Sequence, residues 1–203
     1  MTERVYLLSL WIRVWHWTNA GLILVLSVTG ASLHFADPKL PLIEFSLAAR
    51  LHDIAGWALV ATYGWFVVAN IVSGNWYQFV LKPPVLEKMM IQARWYGWGM
   101  FRGEPEPFPV TPEQHFNPLQ AMTYWGVMYL LMPVVLLSGI VFFFPTLAPD
   151  TLWGMDGLLP IALLHFLAGS AVVIFMVTHI YLGTTGKTLG QQYRTMITGW
   201  HEH

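Results

Sequence analysis

The sequence predicts an all-α integral membrane protein, a bundle of four transmembrane helices with both termini in the cytoplasm. Of the 203 residues, 56% are hydrophobic and 10% are charged, against about 25% charged residues in an ordinary soluble domain. Apolar segments recur along the chain that reach the length of about 20 residues needed to cross a bilayer core of about 30 Å. Many of the 11 Trp residues lie near the ends of these segments, where a membrane–water interface favours the indole ring.

The predicted helices span about residues 11–33, 48–73, 119–144 and 159–182, within a single transmembrane domain covering residues 1–203. Pro160 suits the first turn of the fourth helix, where a missing N–H costs little. Pro133 lies inside the third helix and is expected to kink it, which membrane helices tolerate. Residues 74–118 contain several prolines and are interpreted as a long cytoplasmic loop, with a short interfacial helix expected near residues 85–96.

The orientation of the helices follows from the distribution of Lys and Arg. With the N-terminus inside, all ten Lys and Arg residues except Lys39 and Arg50 lie on the cytoplasmic side. Such an excess of positive charge is typical of cytoplasmic segments, so both termini are expected in the cytoplasm. The first ten residues lack a cleavage site of small residues, and the first apolar segment is therefore expected to be retained.

Charge and cysteine content exclude several function classes. The net charge of −1 offers no basic surface for nucleic acid. Because the chain contains no cysteine, it cannot form a disulfide, bind an iron–sulfur cluster through thiolates or attach a c-type haem covalently.

Four histidines lie within the predicted membrane helices, where a polar side chain is costly unless it has a partner. His16 lies near the start of the first helix and His179 approaches the end of the fourth, both near the cytoplasmic face. His52 and His165 lie near the outer ends of their helices. His165 and His179 share one face of the fourth helix, roughly 21 Å apart along its axis, too far for one metal ion to bridge. The sequence predicts two sites, the outer pair His52–His165 and the inner pair His16–His179.

Room for a flat ring is predicted beside each of these histidines. A small residue follows each of them by one helical turn: Ala20, Gly56, Gly169 and Gly183. Because glycine lets a ring approach the backbone closely, the four histidines are interpreted as axial ligands of two b-type haems. Arg13 lies three residues before His16 and points the same way, so it is expected to neutralise a haem propionate at the inner interface.

Other interpretations of these histidines stay open. A membrane histidine often serves as an interhelical hydrogen-bond partner. Zinc is less suitable, because a closed site usually takes four protein ligands and no cysteine or further histidine is predicted at these depths. The remaining histidines are interpreted as interfacial, loop or tail residues: His34, His115, His201 and His203.

A recognisable pattern surrounds the membrane histidines and spans nearly the whole chain. Its segments are Arg13-Val-Trp-His16-Trp17, His52-Asp-Ile-Ala-Gly56, Phe116-Asn117-Pro118-Leu119-Gln120, His165, His179-Ile-Tyr-Leu-Gly183 and Met196-Ile-Thr-Gly-Trp200. Together they resemble the bacterial dihaem cytochrome b family that comprises the membrane subunits of formate dehydrogenase-N, nickel–iron hydrogenase and thiosulfate reductase.

The resemblance implies a single transmembrane cytochrome b domain in the bacterial inner (cytoplasmic) membrane, with two haems b and a quinone site near the cytoplasmic haem. Carried onto this chain, the quinone, either menaquinone or ubiquinone, meets Asn117 and Gln120 close to His179. Asn also favours the N-cap of a helix, so Asn117 is expected to cap the third helix, to bind quinone, or to do both.

The resulting hypothesis is an electron-transfer subunit of a respiratory oxidoreductase, working between a quinone and an iron–sulfur partner. Since the chain has no cysteine, the clusters must lie on another chain. The resemblance places that chain, with a catalytic subunit, on the periplasmic side. Two alternatives remain: a stand-alone b561-type quinone-linked oxidoreductase, and a haem-free four-helix transporter or proton relay. Against the last, the predicted helices lack an Asp or Glu at mid-depth.

Overall fold

The computed structural model describes residues 4–37, 42–80, 83–109, 111, 116–184 and 188–202. Within these ranges the chain is mostly helical, as predicted. The helices are α1 (Leu10–His34), α2 (Phe45–Val72), α3 (Val85–Arg94), α4 (Pro118–Gly126), α5 (Met132–Phe143), α6 (Leu158–Gly183) and α7 (Gln191–Thr198). The short strands are β1 (Arg4–Tyr6), β2 (Thr151–Leu152), β3 (Met155–Asp156) and β4 (Trp200–Glu202).

Three helical segments of the described chain are long and apolar enough to cross a membrane: α2, the continuous segment formed by α4 and α5, and α6. This confirms three of the predicted spans as apolar helices of sufficient length. Helix α1 has 25 residues but is not among them. Helix α1 is less apolar than the other three because its first half contains Arg13, His16 and Asn19, which lower its mean hydropathy.

The long helices pack in pairs, α1 along α2 and α5 along α6, and α2 also contacts α5. The buried centre consists of Leu59, Met132, Leu136 and Val172, and residues of α1 such as Leu22 pack against it. Many large apolar side chains on the same helices remain exposed. A soluble monomer rarely exposes so much contiguous apolar surface, so the outer faces of these helices suit lipid.

Pro133 does not break the third predicted helix. The chain widens into one π turn at Val127–Leu131 between α4 and α5. In π geometry each N–H bonds to the carbonyl five residues earlier, so the missing N–H of Pro133 leaves the Met128 carbonyl without its helical donor. The Tyr63 hydroxyl of α2 donates to this carbonyl at 2.7 Å, and the interruption is therefore satisfied from a neighbouring helix.

Regular structure also forms in the described segments outside the long helices, where α3 corresponds to the short helix expected near residues 85–96. In the long loop, α3 continues through a π turn at Trp95–Gly99 and packs against α4. At the chain ends, β1 pairs antiparallel with β4 and Val5 lies opposite His201. His201, interpreted above as a tail residue, is thus a buried strand residue. This pairing brings the N-terminal and C-terminal segments together.

Two of the other histidines without a predicted ligand role, His115 and His203, lie outside the described residues. His34 is the last residue of α1, and its ring stacks on Phe166 of α6 with ring centres 4.0 Å apart. His34 therefore contributes to helix packing at the C-terminal end of α1.

Candidate functional site

The outer pair of histidines comes together between α2 and α6. His52 and His165 each lie about two turns after the start of their helix. Their ring centres are 6.4 Å apart, and the ring planes make an angle of 73°. The structure therefore places these two rings beside each other, as their predicted depths require.

The inner pair comes together between α1 and α6. His16 lies near the start of α1 and His179 near the end of α6, with ring centres 6.0 Å apart and 57° between the ring planes. Because α6 contributes one histidine to each pair, the two pairs lie at opposite ends of this helix, roughly 21 Å apart along its axis.

The separation of the rings fits one metal ion between the members of each pair. With a metal–imidazole bond of about 2 Å and a nitrogen about 1 Å from its ring centre, two imidazoles on opposite sides of a metal have centres about 6 Å apart. The observed separations are 6.0 and 6.4 Å. No group of three or more His, Cys, Asp or Glu side chains that could hold a metal occurs among the described residues. Two imidazoles alone suit a haem iron better than a closed zinc site.

His52 lies against the Thr29-Gly30 segment of α1. Its Nδ1 is 2.9 Å from Thr29 Oγ1, and the Thr29 hydroxyl lies 2.8 Å from the carbonyl of Val25, one turn earlier. A Cβ added at Gly30 would be 3.3 Å from Cε1 of His52. The close approach of this ring to α1 therefore depends on glycine at position 30.

His165 has the same environment, built by α5. Its Nδ1 is 2.9 Å from Ser138 Oγ, which lies 2.6 Å from the carbonyl of Val134. A Cβ added at Gly139 would be 3.3 Å from Cε1 of His165. The outer pair thus contains a repeated unit, in which a hydroxyl residue and the glycine after it, on one helix, face a histidine on the next.

The inner pair lies in aromatic surroundings that lack this unit. The His179 ring stacks on Phe175 with ring centres 5.6 Å apart, and its Nδ1 is 3.3 Å from the Tyr124 hydroxyl. The His16 ring packs edge-on against Trp17, and its Nδ1 is buried without a hydrogen-bond partner in the described parts of the chain. The two sites therefore differ in how their histidine rings are held.

The small residues predicted to flank a haem fall into different surroundings. A Cβ added at Gly56 or Gly169 would meet no protein atom within 4 Å, which fits a flat ring passing these positions. Ala20 is half-buried in α1. Gly183 faces α7 instead, because its added Cβ would lie 3.1 Å from the hydroxyl of Tyr193. Glycine at position 183 therefore permits close packing of α7 on the end of α6.

Arg13 is tied to the C-terminal segment of the chain. Its guanidinium donates from Nη1 to the Ile197 carbonyl in the last turn of α7, while its Nε is buried without a partner among the residues described. Trp17 donates from Nε1 to the neighbouring Met196 carbonyl at 3.4 Å. These bonds hold the end of α7 against the start of α1, and the expected role of Arg13 at a haem propionate stays a prediction.

Asn117 is the N-cap of α4, one of its two expected roles. Its Oδ1 accepts from the Gln120 backbone N–H at 2.9 Å, and Gln120 Oε1 accepts from the Asn117 backbone N–H at 3.2 Å. This reciprocal arrangement is a capping box. The Asn117 amide also donates to the Tyr96 hydroxyl at 2.8 Å. A tyrosine phenol is protonated at neutral pH, and burial raises the pKa of Tyr96 further, so its hydroxyl keeps a proton to donate.

The capping residues connect to the inner pair through aromatic rings. Phe116, directly before Asn117, packs edge-on against Tyr124 with ring centres 4.9 Å apart. Tyr124 in turn contacts His179. The residues predicted to meet a quinone and the inner histidine pair thus belong to one connected cluster at the same end of the molecule.

The residues that support the histidines were not predicted from the sequence. Thr29, Ser138 and Tyr124 lie beside a histidine nitrogen. A signal for two of them is present, since Thr29-Gly30 and Ser138-Gly139 each place a hydroxyl residue before glycine in an apolar helix. A hydroxyl in a helix can satisfy itself on the carbonyl one turn earlier. These two sequence pairs therefore indicate a hydrogen bond to a histidine only when the facing histidine is known.

The chain matches known proteins over nearly its whole length. The family described as prokaryotic cytochrome b561 matches residues 7–199. A protein of Escherichia coli (strain K12) described as a cytochrome, YdhU, is 36% identical over 202 residues, which are 99% of this chain and 76% of that protein. A protein of Rhodobacter capsulatus described as the B-type cytochrome subunit of a Ni/Fe-hydrogenase is 27% identical over 224 residues, 96% of this chain and 80% of that protein. No solved structure gives a significant match.

Proposed function

Because the chain belongs to the prokaryotic cytochrome b561 family of b-type cytochromes, we propose that it is the two-haem membrane subunit of a respiratory oxidoreductase. In this role it transfers electrons across the membrane between a quinone and an iron–sulfur partner. The observation that carries the proposal is the pairing of four histidines at opposite ends of α6, with ring centres 6.4 and 6.0 Å apart.

Each pair of histidines is proposed to hold one haem b. His52 and His165 are the axial ligands at the outer end, and His16 and His179 are those at the inner end. Since the chain contains no cysteine, each haem is held by its iron ligands and by packing, without a covalent link. A bound haem supplies reversible one-electron chemistry. The protein supplies the imidazoles, their orientation and glycine faces beside the ring.

We propose that α1 is a fourth membrane span and that both termini are cytoplasmic. The pairing of β1 with β4 brings the two ends of the chain together, which requires an even number of membrane crossings between them. Three spans follow from hydropathy, and α1, with 25 residues, has the length to be the fourth. All Lys and Arg residues except Lys39 and Arg50 then lie on the side of the termini, as expected for the cytoplasmic face of the bacterial inner membrane.

The quinone is proposed to bind at the cytoplasmic end, at Asn117 and Gln120 close to His179. An amide N–H is a suitable donor to a quinone carbonyl. Asn117 has one side-chain N–H beyond the bond to Tyr96, and Gln120 uses only its Oε1 in the capping box. Menaquinone and ubiquinone both present carbonyl groups that these amides can recognise.

The partners are proposed to be an iron–sulfur subunit and a catalytic subunit on the periplasmic side, against the outer end of the chain. This chain has no cysteine for a cluster of its own, and the Rhodobacter capsulatus relative is described as a subunit of a hydrogenase. With the quinone at the inner end, each electron crosses most of the membrane. One charge crossing is worth about 2.3 kcal/mol per 100 mV, so electron flow is coupled to the membrane potential.

Haem quantification of the purified chain and its histidine variants tests the proposal. The wild-type chain should carry two haems b, with half of them lost in each single variant. His52→Ala and His165→Ala should remove the same haem, and His16→Ala and His179→Ala the other. His34→Ala, which removes a packing histidine, is the matched control and should retain both. A wild-type chain produced with haem supplied but purified without it would contradict the proposal. Loss of different haems within one pair would contradict the pairing.

A second candidate is a stand-alone b561-type oxidoreductase that exchanges electrons directly between quinone and a small redox partner. The family description favours it, and it uses the same histidines. Purification from native membranes separates the two candidates. A stable complex with an iron–sulfur chain supports the subunit, whereas a self-sufficient active chain supports the stand-alone enzyme. Membership of a cytochrome family argues against the haem-free transporter or proton relay.

A further inference from the structure

The two outer histidines face hydroxyl groups whose own protons are already used. The Thr29 hydroxyl donates to the Val25 carbonyl at 2.8 Å, and the Ser138 hydroxyl donates to the Val134 carbonyl at 2.6 Å. A hydroxyl has a single proton and two lone pairs. Each oxygen therefore presents a lone pair to the histidine Nδ1 that lies 2.9 Å away, and that Nδ1 must carry the proton.

The main chain around each hydroxyl offers only further acceptors. Thr29 Oγ1 also lies 3.3 Å from the Leu26 carbonyl, and Ser138 Oγ lies 3.1 Å from the Val135 carbonyl. A carbonyl oxygen can only accept, so these contacts leave no hydroxyl proton for the histidine nitrogen. With the proton on Nδ1, the lone pair is on Nε2, which becomes the atom available to iron.

The inner histidines have weaker acceptors or none. The Nδ1 of His179 is 3.3 Å from the Tyr124 hydroxyl, beyond the usual range of about 2.7–3.2 Å for an N–H···O bond. The Nδ1 of His16 is buried and has no partner within the described part of the chain. An imidazole whose N–H donates to a good acceptor is the more basic metal ligand. By this criterion the outer rings are the stronger electron donors.

We propose that Thr29 and Ser138 are positioning residues of the outer site. They hold His52 and His165 in the Nδ1–H tautomer and in a fixed ring orientation, and they make these ligands more electron-donating than the inner pair. Stronger donation favours the oxidised, more positive iron, so a haem at the outer pair has the lower reduction potential. An electron that enters from an iron–sulfur reductant at the outer end then runs downhill toward a quinone oxidant at the inner end. The proposal rests on the bis-histidine haem ligation proposed above.

Redox titration of hydroxyl-deleted variants tests the two positioning residues. Thr29→Val and Ser138→Ala should each raise the potential of the outer haem, and the double variant should raise it further, while the inner haem is unchanged. Low-temperature electron paramagnetic resonance of the outer haem should shift as its ligand rings lose their fixed orientation. Thr29→Ser and Ser138→Thr keep the hydroxyl and should restore wild-type values. The matched control is Ser27→Ala on α1, whose hydroxyl donates to the Ile23 carbonyl at 2.7 Å and should leave both potentials unchanged.

A second measurement uses no hydroxyl deletion and remains available if those variants do not fold. The variant His179→Ala should retain only the outer haem, and His52→Ala only the inner one. The outer haem should then titrate at the lower potential of the two. Equal or inverted potentials would overturn the proposal, as would hydroxyl variants that behave like the Ser27→Ala control. A wild-type chain without haem would instead overturn the proposed function, so the two failures are distinguishable.

Discussion

Gly30 determines how closely the His52 ring approaches α1, and Gly30→Ala tests the importance of that approach. The added Cβ would lie 3.3 Å from Cε1 of the ring, whereas carbon atoms pack best at about 3.5–4.0 Å. The ring must therefore move away from α1 by roughly 0.2–0.7 Å. This movement also stretches the 2.9 Å contact between its Nδ1 and the Thr29 hydroxyl.

The size of the effect follows from the cost of overpacking. Inserting a methyl group into a well-packed site typically costs about 1–3 kcal/mol. At about 1.4 kcal/mol for each factor of ten, haem affinity at the outer site should fall by about fivefold to about a hundredfold. Alanine also favours a helix over glycine by up to about 1 kcal/mol. Because the two contributions oppose each other in folding stability, haem affinity is the quantity to measure.

The assay is the transfer of haem to excess apomyoglobin, measured in the His179→Ala background where only the outer haem is expected. Gly30→Ala should lose haem faster than its parent, and Gly139→Ala should do the same, since its Cβ meets the facing histidine at 3.3 Å as well. Gly21→Ala is the control on α1, because its Cβ meets no atom within 4 Å. Equal haem loss in Gly30→Ala and Gly21→Ala would refute the reasoning.

Three further predictions concern other parts of the molecule. Gly56→Ala should lower the haem content, whereas Gly64→Ala on the same helix should not. An added Cβ meets no protein atom within 4 Å at either position, and of the two only position 56 is proposed to border a haem. Pyridine-haem quantification measures the content, and equal values for the two variants would contradict the prediction. Asn117→Asp keeps the oxygen that caps α4 but loses the amide donor, so the circular dichroism spectrum should be unchanged. The KM for a quinol analogue should rise about twofold to tenfold, which corresponds to the loss of one hydrogen bond of about 0.5–1.5 kcal/mol. An unchanged KM would show that Asn117 caps the helix without binding quinone. Partial desolvation of the carboxyl raises the pKa of Glu106 although the residue is exposed, so its small contribution to stability is complete below the ordinary carboxyl pKa and is lost as pH rises through the raised value. Glu106→Gln should therefore reduce the fall in the thermal unfolding midpoint between acid and neutral pH, and parallel curves for the two proteins would show that Glu106 makes no such contribution.

The sequence by itself determined the helices and the depths of the histidines. Hydropathy and helical length are properties of a continuous segment, so the predicted bounds of the long helices agree with the structure to within about one turn. Depth along a helix is equally local, because each residue adds about 1.5 Å. Two histidines at each end of the helices were therefore predictable, and the structure brings together the pairs that their depths suggest.

Only the tertiary structure decided what each of these side chains contacts. The hydroxyl of Thr29 could have faced lipid or His52, and Gly183 could have faced a ring or the Tyr193 side chain of α7. The same holds for Arg13, whose guanidinium reaches the Ile197 carbonyl near the other end of the chain. These outcomes depend on the rotation of each helix about its axis and on the register between neighbouring helices. Both are set by packing among all the helices together, and no single apolar segment carries that information.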